Sequence, residues 1–147
     1  MAAVIEGLVD LKGGSVICVP AAIGAPGALG PGFANGWPVN AFIDTGCTRS
    51  VIHEELLDEL RIPLTGGKVQ TTTHNGVLEQ QEYMFDLGLV APAQWGTSNG
   101  PFFRTVSNCL ALPMSAPIAG CMLVLGMDVL LTLGFALLPN GRFYVHL

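Results

Sequence analysis

"AFIDTGCTRSVIHEELLDEL", residues 41–60, holds an acidic side chain where an apolar strand ends. Ala41, Phe42 and Ile43 read as a buried strand, Thr45 and Gly46 as a turn, and "HEELLDEL" as a short amphipathic helix. In that helix Leu56, Leu57 and Leu60 share one face, and Glu54, Glu55, Asp58 and Glu59 turn to water. Taken alone, Asp44 could be an ordinary Asx turn after a strand. Its position at the mouth of a buried strand is what calls for a further reason.

Composition narrows the choice of reason. A chain of 147 residues fits one domain with a real core, and residues 1–147 are read as a single domain. Half the residues are hydrophobic and 12% are charged, which implies that part of an apolar surface is covered by a partner. A net charge of −5 with six Lys and Arg argues against nucleic acid, because phosphate binding needs clustered cations. Cys18, Cys47, Cys109 and Cys121 form no C-x-x-C pair, and with only His53, His74 and His146 they show no metal-ligand spacing. The expectation is free buried thiols, no metal and no cofactor. No signal peptide is evident, so the expected compartment is cytoplasmic, as a whole chain or as a piece of a longer precursor. The stretch from Thr105 to Met127 carries no charge, but Pro113, Pro117 and Gly120 interrupt it. Two short strands joined by a Pro-rich loop fit it better than a membrane span.

Most of the remaining chain reads as strands. "VIEGLVDL" and "SVICVPAAI" flank Lys12-Gly13-Gly14, a candidate hairpin turn. "GAPGALGPGFANG", residues 24–36, reads as a surface loop. "KVQTTT" and "VLEQQEYMFDLGLV" flank His74-Asn75-Gly76, and Asn-Gly is a strong hairpin signal. On the return strand Tyr83, Phe85, Leu87 and Leu89 alternate with Met84, Asp86 and Gly88, so one buried face is expected. After the loop "APAQWGTSNGP" come the strands "FFRTVSNCLAL" and "CMLVL", the short helix "MDVLLTL", and a last hairpin across Pro139-Asn140-Gly141. The expected class is all-β with two short helices.

Two motifs in this order, "FIDTGCT" and "VLGMDVL", with the "THNG" hairpin between them, resemble the retropepsin-like aspartic proteases, single-lobed relatives of pepsin. The resemblance spans residues 37–147 and implies a closed β-barrel lobe of the acid-protease fold. It also implies peptide-bond hydrolysis without a covalent intermediate: two aspartates hold a water, one as general base and one as proton donor. One Asp-Thr-Gly supplies half such a dyad, so the resemblance implies a homodimer acting on peptide or protein substrates. On the family pattern Asp44 would be the catalytic carboxylate, and Thr45 would bond across the two-fold axis. Gly46 would leave room for substrate backbone, beside Cys47 and Thr48. Asn75, Gly76 and Val77, next to His74, would form the flap tip. Gly126 would allow close packing beneath the active-site loop, and Asp128 would cap the short helix or pair with Arg49. The terminal strands near "AVIEGL" and "RFYVHL" would be candidates for a sheet between subunits.

Departures from the pattern also stand out. Cys47 sits where Ala or Ser is usual, Thr48 where many viral members carry Asp, and "GMD" is the cellular and bacterial form. The N-terminal extension before residue 37, rich in Gly and Pro, has no counterpart. Two rival functions remain: a dimeric module of the same fold that binds peptides with little or no cleavage, and a thiol enzyme using Cys47 with His53 or His74.

Overall fold

A computed structural model describes residues 3–9, 12, 16–93 and 100–147. Six strands close into a barrel. They are β2 (Cys18–Gly24), β3 (Trp37–Ile43), β8 (Leu123–Leu125), β4 (Ser50–His53), β7 (Phe102–Met114) and β6 (Gly76–Ala91), with β6 returning to β2. The interior is apolar because alternate residues of these strands point inward. Val19, Ile23, Ile52, Phe85, Leu87, Leu89, Leu123 and Leu125 are fully or almost fully buried, each contributing about 1.5–3 kcal/mol where the side chain is a large aliphatic or aromatic. Helix α1 (Glu54–Glu59) seals the barrel with Leu56 and Leu57. Helix α2 (Met127–Leu130) does so with Val129 and Leu130.

A separate three-stranded sheet has the order β1 (Val4–Leu8), β10 (Arg142–His146) and β9 (Gly134–Leu137). Here the structure departs from the sequence expectation. Strand β1 makes no hairpin with β2; it lies antiparallel to β10, from Val4 opposite His146 to Leu8 opposite Arg142. Gly13 and Gly14 of the expected turn lie outside the described residues, as does Trp95. The first and last strands are therefore zipped within one chain, and both edges of β10 are filled by β1 and β9. The last hairpin, β9 to β10, forms where Pro139-Asn140-Gly141 places it.

Strand β5 (Leu64–Thr73) extends the sheet beyond the barrel by pairing with the first half of β6. Thr73 pairs with Gly76, so the tip is the two-residue turn His74-Asn75, and Gly76 (φ 118°) and Val77 already belong to β6. Further along, β6 is buried on both faces rather than one: Asp86 and Gly88 are covered as well as Phe85, Leu87 and Leu89. The cover is the Gly/Pro segment after β2. It contains a turn of 3-10 helix, Pro31–Phe33, buries Leu29, and lays the Phe33 ring so close to Gly88 that a Cβ there would lie 2.9 Å from it. Asp86 anchors the segment by accepting from the Gly27 amide at 2.8 Å and from the Asn108 amide at 2.9 Å. In the uncharged stretch a loop joins β7 to β8 and holds Pro117, but β7 is 13 residues long rather than short and takes in Pro113. No helix among the described residues is long and apolar enough to cross a membrane.

Candidate active site

Parallel strands β3 and β8 end side by side, with Ile43 paired to Leu125, and each then turns sharply. The Asp44 amide donates to the Leu125 carbonyl at 3.1 Å, which fixes where the carboxylate emerges. Asp44 is half-buried. Its Oδ1 accepts from the Gly46 amide at 2.9 Å, while Oδ2 accepts from no described residue. This is an Asx turn after a strand, but with one carboxylate oxygen left for other work. Thr45 and Gly46 are exposed.

Gly126 follows β8 and packs under this loop. A Cβ on it would stand 2.7 Å from the Arg49 carbonyl group and 2.8 Å from the Cys47 oxygen. Backbone offers no way to yield, so only glycine fits the approach. The start of α2 then bonds to the loop: the Met127 amide donates to Cys47 O at 2.8 Å and the Asp128 amide to Thr48 O at 3.3 Å.

Ser50 and Asp128 complete the joint. The Ser50 hydroxyl donates to Asp128 Oδ1 at 2.8 Å and accepts from the Gly126 amide at 3.0 Å. The Ser50 amide reaches both Asp128 oxygens at 3.1 Å, and the Val129 amide donates to Asp128 Oδ1 at 2.9 Å. Asp128 thus holds the loop after Asp44 onto α2. Arg49, the other partner offered for Asp128 by the sequence, pairs instead with Glu82 on β6, whose second oxygen accepts from Thr65 on β5 at 2.9 Å.

A cleft of about 380 Å³ opens beside the loop. Gly46, Cys47, Thr48 and Arg49 form one wall, and Val69, Gln70, Thr71, Thr72 and Gln80 of the β5–β6 hairpin form the other. The hairpin's His74, Asn75, Gly76 and Val77 are all exposed beyond it. A larger groove, lined by Trp37, Val39, Glu55, Leu56 and Met122 among others, includes no residue of the Asp44 loop.

The sequence profile of the aspartyl protease family matches residues 31–129. The chain belongs to that family. No curated protein matches it. Among solved structures, it is similar to a retropepsin-like aspartic protease from Rickettsia conorii, with 15% identity and a TM-score of 0.57. The match covers 99% of this chain and 94% of that one. At that identity the likeness concerns the fold, and it agrees with the barrel and the two short helices described above. Family and fold together support a protease function for this aspartyl protease domain.

The thiol alternative finds no geometry here. The Cys47 thiol donates to the Arg49 carbonyl at 2.8 Å, and no hydrogen bond joins it to a histidine. His53 is buried and caps α1, its Nδ1 accepting from the Glu55 amide at 3.3 Å, while His74 sits in the exposed hairpin turn. Sequence reasoning missed Ser50, Glu82 and Asp86. For Asp86 the signal existed: a carboxylate between Phe85 and Leu87 is as out of place as Asp44 after Ile43. Ser50 and Glu82 carry no comparable local signal.

Proposed function

We propose that the protein is an aspartic endopeptidase that works as a homodimer, with Asp44 from each of two subunits forming the catalytic pair. The observation that carries this reading is Asp44 itself. It stands at the end of a barrel strand, half-exposed, on a loop held by Gly126, Ser50 and Asp128, with one carboxylate oxygen committed and one not. Such rigid support is what a general base requires, because its oxygen must stay within hydrogen-bond reach of the proton it takes.

One chain offers one such carboxylate. Brought together across a two-fold axis, two copies would hold a water between them. One carboxylate would take the proton of the attacking water, and the other, protonated, would donate to the substrate carbonyl oxygen. Thr45, exposed beside Asp44, would bond across the axis. Gly46 would let the substrate backbone lie close, and Cys47 and Thr48 would flank it. The hairpin tip around His74, Asn75, Gly76 and Val77 would close over the peptide and exclude water. Exposed Leu8, Leu131, Leu137 and Leu138 are apolar surface available for a partner copy.

The test is cleavage of a peptide library across pH by the wild type and by Asp44→Asn. Asparagine keeps the shape and the Gly46 bond but cannot take the proton. The expected outcome is loss of cleavage with dimerisation retained, and a bell-shaped pH dependence for the wild type, as two coupled carboxyls give. Cleavage by Asp44→Asn at the wild-type rate would reduce Asp44 to a turn residue. A wild type that binds peptides without cutting them would favour the peptide-binding module instead.

A further inference from the structure

Two cysteines far apart in sequence meet in the barrel wall. Cys18 opens β2 opposite Phe42 of β3, and Cys121 closes a tight turn, bonded to Ile118 in both directions, just before β8. Their sulfurs lie 3.1 Å apart across 103 positions of sequence. Cys18 is half-buried and Cys121 is almost fully buried, so reagents reach the pair from the Cys18 side. Neither thiol has a role in the proposed chemistry. Among the described residues no cluster of three or more ligating side chains exists that could make the pair a metal site.

We propose that Cys18 and Cys121 form a reversible intrachain disulfide that clamps β2 to the entry of β8. A disulfide bond is about 2.05 Å long, so the sulfurs at 3.1 Å need to approach by about 1 Å. The oxidant is a small disulfide such as oxidised glutathione. The Cys18 thiolate attacks one of its sulfurs, expelling one glutathione thiolate and leaving a mixed disulfide. The Cys121 thiolate then attacks the Cys18 sulfur and expels the second. Two protein thiols lose two protons and two electrons, and one oxidised glutathione becomes two reduced ones. Excess dithiol runs the sequence backwards. Burial, then the contact with Cys121, pushes the Cys18 thiol up to about 11, so exchange is slow at neutral pH and faster in mild alkali.

The consequence is mechanical. Strand β3 lies between β2 and β8, and β3 and β8 carry the Asp44 and Gly126 loops at their ends. A covalent tie across β3 fixes that three-strand unit. Because it closes a loop of about a hundred residues, it constrains the unfolded chain strongly.

The experiment is oxidation of the intact wild type with oxidised glutathione at mildly alkaline pH, followed by acid quench, alkylation, digestion and mass spectrometry. The expected result is one cross-linked peptide pair, Cys18 with Cys121, two hydrogens lighter than its reduced parts, and a rise in Tm of roughly 5–10 °C. Dithiothreitol should reverse both. Cys121→Ala should stop at a glutathione adduct on Cys18 with no rise in Tm, and Cys109→Ala should behave as wild type. Glutathione adducts without the cross-link in the wild type would overturn the proposal, and so would a cross-link that leaves Tm unchanged or lowers it. The wild-type readout needs no variant to fold and does not depend on peptide cleavage.

Discussion

Ser50→Ala removes a single oxygen from the joint beneath Asp44, and its cost can be worked from the contacts. Ser50 is fully buried, and its hydroxyl both donates to Asp128 Oδ1 and accepts from the Gly126 amide. A hydrogen bond to a charged acceptor contributes about 1.5–3 kcal/mol, and stranding a buried amide costs a further 1–3 kcal/mol or so. The Ser50 amide and Val129 amide still hold Asp128, which offsets part of the loss. The expected destabilisation is about 3 kcal/mol, or roughly 6–12 °C in Tm for a chain of this size. Urea unfolding of Ser50→Ala, Asp128→Ala and the double variant measures it. The cycle should show a coupling of at least about 1 kcal/mol, since both side chains serve one network. Under the protease reading, cleavage by Ser50→Ala should fall more than its folded fraction does, because the Asp44 loop loosens before the barrel does. A loss below about 0.5 kcal/mol, or additive single effects, would refute the claim that this hydroxyl ties the two loops together.

Asp86→Ala should cost about 2–4 kcal/mol by stranding the Gly27 and Asn108 amides, and limited proteolysis should then cut first between residues 25 and 36. Amides 71–80 should exchange fastest of those in the β5–β6 hairpin in the free protein and slow on addition of a peptide-like inhibitor; equal exchange in both states would argue against a closing flap. Cys109 is pushed up to about 12 by burial, reinforced by the charges of Asp86 and Asp128. The folded chain therefore keeps a proton that the unfolded chain gives up near 9.0. That contribution is complete below pH 9 and drains away as pH rises towards 12, by about 1 kcal/mol at pH 10. Urea midpoints between pH 8 and 10 should fall less steeply in Cys109→Ala than in the wild type.

The barrel's decisive joint was legible because it is encoded locally. Ile43 before Asp-Thr-Gly, and Leu125 before Gly126, announce two buried strands that each turn at once. The α1 helix and the β5–β6 hairpin were readable for the same reason, through a 3.6-residue period and a polar turn between β-rich runs. What escaped depends on residues distant in sequence. Strand β1 finds β10 rather than β2, a pairing across nearly the whole chain that no short pattern records. The second buried face of β6 exists only because residues 25–36 fold back over it. Arg49 sits three residues from Gly46 but takes its partner from β6, so its choice of Glu82 over Asp128 is settled by tertiary geometry.

The long strand β6 has a mechanical consequence. Its second half is wall, locked between β2 and β7, while its first half leaves the barrel with only β5 beside it. From Gln80 to Gly76 the overhang is about 13 Å at ~3.3 Å per residue, a cantilever with its root where Arg49 and Thr65 grip Glu82 and where Gln80 Nε2 reaches the Pro113 carbonyl at 3.0 Å. A tilt of about 10° at that root swings the tip by about 2 Å for an arm of this length. The Arg49–Glu82 pair, two residues beyond Cys47, thus sits at the root from which one wall of the cleft projects.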